Sequence, residues 1–152
     1  MDIGIFYNKT SGYFETQIEN GDLKADDGLQ TMVLISLFTD QRVTEDELPQ
    51  GHTSKRGYWG DMFPEVEGDQ IGSKLWTFDR EKLTLTTITN IERGAENSLA
   101  WMIEDNLAKS VAVSASRDEF NRLILSVNIT KPDGETNKYG FLWDNQEIRQ
   151  VT

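Results

Sequence analysis

Leu83-Thr84-Leu85-Thr86-Thr87-Ile88-Thr89-Asn90-Ile91-Glu92-Arg93-Gly94-Ala95-Glu96-Asn97-Ser98-Leu99-Ala100-Trp101-Met102-Ile103-Glu104-Asp105-Asn106-Leu107 decides the fold class. Its first seven residues set β-branched threonine and isoleucine between leucines, a strand by propensity. Across the whole stretch Ile88, Ile91, Ala95, Leu99, Met102, Ile103 and Leu107 recur mostly every third or fourth position. That is the stripe of an amphipathic helix. The longer pattern outweighs the local one and predicts a helix over about Thr84–Leu107. Gly94 inside it costs about 1 kcal/mol against alanine, so its expected use is close packing.

Downstream the period changes from helical to alternating. Val111, Val113 and Ala115 alternate with small polar residues. Leu123, Leu125, Val127 and Ile129 alternate with Ile124 on the other face, and Thr136–Trp143 returns after the Lys131-Pro132-Asp133-Gly134 turn. These are three antiparallel strands, followed by a polar, mobile tail over residues 144–152. Upstream, Ile3–Tyr7 and Tyr13–Ile18 flank the turn Asn8–Gly12 and read as an N-terminal hairpin within residues 1–20. Asn20-Gly21-Asp22 and Asp26-Asp27-Gly28 are turn punctuation. The apolar run Leu29–Phe38 reads as a buried helix from Gly28, capped by Asp26 or Asp27, with a buried strand as the alternative. The fold class is α+β: helices packed on one face of a small antiparallel sheet, with an N-terminal β-hairpin, in a single domain over residues 1–152.

Between the two apolar units lies Arg56–Trp76, which holds two of the four tryptophans. Tyr58, Trp59, Phe63, Ile71, Leu75 and Trp76 are too apolar for a solvated loop, so the segment is expected to fold down as a plug. Gly57 and Gly60 allow its sharp turns, and Ser73 caps a short helix through Phe78.

The chain has 152 residues, 37% hydrophobic and 27% charged, and a formal net charge of −11. The balance is that of a globular domain. No basic stripe exists to neutralise phosphates, which argues against nucleic acid and an anionic membrane surface as partners. There is no cysteine, so thiol catalysis and Cys-ligated zinc are excluded. Met1–Tyr7 lacks the features of a secretory signal, and no apolar run reaches membrane-spanning length.

Catalytic templates fail by inspection. No G-x-S-x-G elbow occurs. Gly68–Lys74 resembles a phosphate loop, but Ser73 separates Gly72 from Lys74. His52 is the sole histidine, so no triad or multi-histidine site can form. Asp22, Asp26 and Asp27 lack the calcium-loop order and read as turn and cap residues. Glu92 and Glu96 share a helix face and are the best carboxylate pair for a hydrolase, although a solvated face explains them more simply. Glu104 and Asp105 oppose the dipole of the helix they end. The tryptophans fit core and interface packing better than a sugar platform. No catalytic residue, cofactor, metal or small-molecule substrate is expected.

In order along the chain stand Asp26-Asp27-Gly28-Leu29, Ile35-Ser36-Leu37-Phe38-Thr39-Asp40, Arg56-Gly57-Tyr58-Trp59-Gly60-Asp61, Ile71-Gly72-Ser73-Lys74-Leu75-Trp76, the run 95–105, and Pro132-Asp133-Gly134. Over about Asp22–Gly134 this resembles the Mu-like phage baseplate wedge family. That family is similar to the small wedge protein of T-even phages and its counterpart in type VI secretion baseplates. Ile71–Leu75 resembles their Phe-Gly-x-x-Leu. The resemblance implies a non-enzymatic, structural role in the inner baseplate wedge of a contractile tail, within the virion and assembled in the host cytoplasm. Implied partners are the large wedge protein, the tail sheath and other baseplate proteins. Leu123–Thr130 and Lys138–Trp143 would face the sheath and help start its assembly, and the plug would meet the wedge partner. The expected interface residues are Tyr58, Trp59, Lys74, Trp76, Arg93, Ile124, Phe141 and Trp143, with internal ion pairs the alternative for Lys74 and Arg93. The relatives' Glu-Pro-Arg triplet is absent at Asp105–Ser110, so its contacts do not carry over. Some relatives are labelled lysozyme-like, and an acidic peptidoglycan hydrolase using Glu92 or Glu96 is the second reading.

Overall fold

The helix expected over 84–107 forms, but in two pieces. The computed structural model describes residues 2–26, 29–62, 70–78, 81–144 and 147–150. Helix α2 spans Leu85–Leu99, and α3 spans Trp101–Glu104. Thr84 starts α2 as its N-cap, its side chain accepting from the Thr87 amide, which satisfies one of the orphan donors of the first turn. The second piece ends before Leu107 because Asn106 turns left-handed at φ 60°. The Leu107 N–H then bonds the Met102 carbonyl and the Asn106 N–H bonds the Ile103 carbonyl. This is a Schellman end, with Leu107 packed back on the core beside buried Met102.

Helix α1 spans Gln30–Phe38, so the helical reading of the apolar run holds. Its N-cap is Leu29 with no side-chain bond, not an aspartate. Asp26 belongs to a short strand instead, and Asp27 and Gly28 lie outside the described residues.

Ten strands are described. Six short ones precede α1: β1 Asp2–Ile3, β2 Phe6–Asn8, β3 Tyr13–Glu15, β4 Ile18–Glu19, β5 Asp22–Leu23 and β6 Ala25–Asp26. The expected hairpin is β2–β3, shorter than read, because Ile3 pairs with Ala25 and Ile18 with Leu23. Asn20 and Gly21, both at positive φ, make the two-residue turn that suits a tight hairpin.

The main sheet is antiparallel, ordered β10-β9-β8-β7, with β7 Ser110–Arg117, β8 Leu123–Thr130, β9 Thr136–Asp144 and β10 Glu147–Gln150. The tail read as mobile thus contributes a fourth strand on β9. The backbone bonds of β10 to β9 supply what its polar sequence did not advertise.

Leu123, Leu125, Val127 and Ile129 point to the helices and are at most 2% exposed. Phe141 pairs with Leu125 and takes the Phe38 ring edge-on at 5.3 Å. Ile88, Ile91, Ala95 and Leu99 of α2, Val33 and Leu37 of α1, and Phe141 form one core cluster. The opposite face carries the rows Ala112–Asn128–Lys138, Ser114–Ser126–Gly140 and Ser116–Ile124–Leu142. The fold is α+β.

Candidate functional site

The motifs Arg56–Asp61 and Ile71–Trp76 are knitted together around the segment 39–43. Gly72 sits at φ +98°, and a Cβ there would stand 2.1 Å from the Thr39 carbonyl oxygen. Only glycine permits that approach. It lets the Ser73 N–H bond Thr39 O and the Gln41 N–H bond Ser73 O, both at 2.9 Å. The buried Ser73 hydroxyl donates to the Leu37 carbonyl and accepts from the Leu75 N–H. That N–H bond makes Ser73 the cap of the 3-10 turn Leu75–Phe78. The Trp76 indole donates to Gln41 O at 2.9 Å. From the other motif, Arg56 reaches Asp40 at 2.6 Å and lies 4.6 Å over the Trp76 ring. Gly57, at φ +113°, would put a Cβ 2.7 Å from Arg42 Cβ. The spacing of these motifs therefore encodes a structural joint.

Among the described residues of the expected plug, only the far end is buried. Leu75 and Trp76 are in the interior, while Tyr58 is 43% and Ile71 36% exposed. Residues 63–69, Phe63 among them, lie outside the described residues.

The eight expected interface residues separate accordingly. Trp76, at 4% exposure, and Phe141, at 0%, are core residues and offer no surface. Phe141 ends on the inner face because it shares parity with Trp143 and register with Leu125. Trp143 is half-buried on that same face. It lines a cavity of about 250 Å³ with Ile148, Leu37, Asp40, Arg56 and Trp76. Ile124 is half-buried on the outer face beside Leu142, as expected from its alternation. Tyr58 is exposed, and Trp59 begins the 3-10 turn Trp59–Met62, its side chain outside the described set.

Lys74 and Arg93 meet at one groove of about 510 Å³ between α2, the loop 46–49 and the 3-10 turn Leu75–Phe78. Lys74 is ion-paired there with Glu47. The Lys74 hydrogen bond, then that of the Thr44 amide, holds the Glu47 carboxyl below its usual range. Arg93 is exposed and has no ion pair among the described residues. Among the described residues an added Cβ at Gly94 would meet only Leu75 Cδ2, at 3.6 Å, so no close packing there calls for glycine.

Glu92, half-buried, and Glu96, exposed, both reach the neighbouring strand. Glu92 Oε1 accepts the Ala115 N–H at 2.8 Å and Glu96 Oε1 the Val113 N–H at 3.3 Å. Helix α2 thus lies beside β7 and occupies amides on the edge not paired with β8. Sequence reasoning saw the i, i+4 carboxylates but not their target. The signal was the neighbouring strand of small residues, Val111–Ser116, which lets a helix approach its edge. Among the described residues no group of three or more His, Asp or Glu is placed to hold a metal.

The family model described as Phage protein GP46 matches residues 29–136. The chain belongs to the GP46 family. It is 38% identical over 119 residues to the "Mu-like prophage FluMu protein gp46" of Haemophilus influenzae, covering 78% of this chain and 80% of that protein. It is 36% identical over 141 residues to the "Baseplate protein gp46" of Escherichia phage Mu, covering 92% of this chain and 94% of that protein. These matches bear out the Mu-like baseplate family read from the motifs. The GP46 span contains Arg56–Asp61, Ile71–Trp76, α1, α2 and the β7–β8 pair, so the joint lies inside the family's shared region.

Proposed function

We propose that this chain is a non-enzymatic structural component of a phage-tail baseplate, in the inner wedge of a contractile tail. It binds the large wedge protein, helps start sheath assembly, and resides in the virion after assembly in the host cytoplasm. What carries this reading is the near full-length match to the phage Mu baseplate protein. The motif residues support it: they form a joint rather than a cleft with free acid and base groups. Glu92 and Glu96, the pair that a hydrolase would need, have oxygens engaged by strand amides. The partner surface consists of Tyr58, Trp59, Lys74, Arg93, Ile124 and Trp143. Buried Trp76 and Phe141 support it from beneath.

The test is co-purification with the large wedge protein of the same phage genome, read by light scattering. A defined complex is expected, with Tyr58→Glu and Ile124→Asp each weakening it while the free chain stays folded. Separate elution at micromolar concentrations would overturn the wedge assignment, and cleavage of purified cell wall abolished by Glu92→Gln would restore the hydrolase.

A further inference from the structure

Part of the chain before α1 is a small ribbon of its own. The Lys24 N–H donates to Gln17 O at 2.7 Å, and the Gly4 N–H donates to Lys24 O at 2.9 Å. These bonds extend the pairings β4–β5 and β1–β6, so residues 22–26 run between Ile18–Glu19 on one side and Asp2–Ile3 on the other. Side chains alternate along such a segment, and residues directly opposite each other share a face. Ile18, Leu23, Ala25 and Ile3 therefore stand on one face. Ile18 is 77%, Ile3 54% and Leu23 45% exposed, and none of the three packs on the core cluster. Three branched apolar residues on one face form a patch rather than scattered surface positions.

The charge around this patch is one-sided. Residues 1–28 carry six acids against two lysines. Glu19 and Asp22 are exposed and directly opposite each other, a like-charge pair that costs the ribbon stability. Neither is ion-paired among the described residues. Of the two lysines, Lys24 lies over the Phe6 ring, 4.3 Å from its centre, and Lys9 is in the turn of the β2–β3 hairpin. Glu19 and Asp22 flank the Asn20-Gly21 turn, so a surface covering Ile18 and Leu23 comes within about a Debye length, 8–10 Å, of both. A second copy would bring the same acids against these, which opposes self-association. A cationic surface would relieve their repulsion.

We propose that the Ile3–Ile18–Leu23 face is a second docking surface, covered by another protein of the baseplate whose contact patch is apolar and rimmed with lysine or arginine. This rests on the baseplate reading and adds to it the chemistry of a partner.

The test titrates the full chain with purified baseplate proteins of the same phage genome, the large wedge protein among them, one at a time. One of them is expected to bind with an affinity that falls as salt rises to about 0.3 M. The double variant Ile18→Ser/Leu23→Ser should weaken that complex at least tenfold. Glu19→Lys should weaken it about threefold or more and make its salt dependence shallower. Glu19→Lys sets opposite charges across the hairpin, so its melting temperature should not fall. It decides the matter if the double variant melts early. Complexes that both variants leave unchanged overturn this surface while the baseplate reading stands. Wild-type dimers that the double variant abolishes overturn it in favour of a second copy. No binding by any of the baseplate proteins overturns both.

Discussion

Gly72 and Gly134 show how one residue type carries two different burdens. Both have positive φ, but Gly134 faces open space, whereas a Cβ on Gly72 would strike the Thr39 carbonyl. Gly134→Ala should therefore cost only left-handed strain, about 1 kcal/mol. Gly72→Ala adds a backbone clash and should cost about 3 kcal/mol or more. Urea midpoints of the two variants check the order, and equal losses would contradict the joint described around residues 39–43. The Lys74–Glu47 pair sets a pH dependence. Glu47 has its folded pKa lowered from 4.5. Its contribution is therefore complete above that value and lost as pH falls through the lowered one. Glu47→Gln should flatten the acid limb of the stability profile below about pH 5 and leave the neutral region little changed. Asp118 behaves in the same direction: burial opposes its ionisation, but the Arg122 amide and guanidinium and the Phe120 amide outweigh it.

At the scale of elements, helix ends and strand edges mattered more than periodicity could show. The stripe Ile88–Leu107 located a helix and its buried face, since those contacts repeat along the sequence. It ran on to Leu107 because Leu107 does pack on the core, though as the residue after a Schellman end. Asn106 was the available signal, a residue that tolerates the left-handed conformation, and Asn106→Gly should be tolerated while Asn106→Val should cost about 1–2 kcal/mol. The edge contact of Glu92 and Glu96 was not legible, because which strand lies beside a helix is a tertiary fact. Replacing both with alanine should free the Val113 and Ala115 amides. Their hydrogen exchange should quicken at least tenfold relative to the β8 amides, and unchanged exchange would mean the carboxylates do not cover the edge.

For the whole molecule, alternation in β8 gave the right faces, and the helix-then-strand order gave the right class. The mistakes concern depth. Phe141 and Trp143 share a parity, yet Phe141 sits beneath Phe38 and Phe14 while Trp143 lies nearer the end of the sheet. Aromatic residues in a terminal strand look alike in sequence whether they face a core or a partner. Phe141→Ala should cost about 3–5 kcal/mol in unfolding free energy. Ile124→Asp on the outer face should cost about 1 kcal/mol or less, so denaturation curves separate the two roles.

The sheet has two ends of unlike character. Along β7, α2 carboxylates hold edge amides. At the other end β10 is a four-residue strand whose outer side is unpaired among the described residues. A sheet open on both sides can join copies of itself without limit, as edge-to-edge aggregates do. With the Val113 and Ala115 amides held by its own carboxylates, this sheet offers such growth a poorer edge at β7 than at β10.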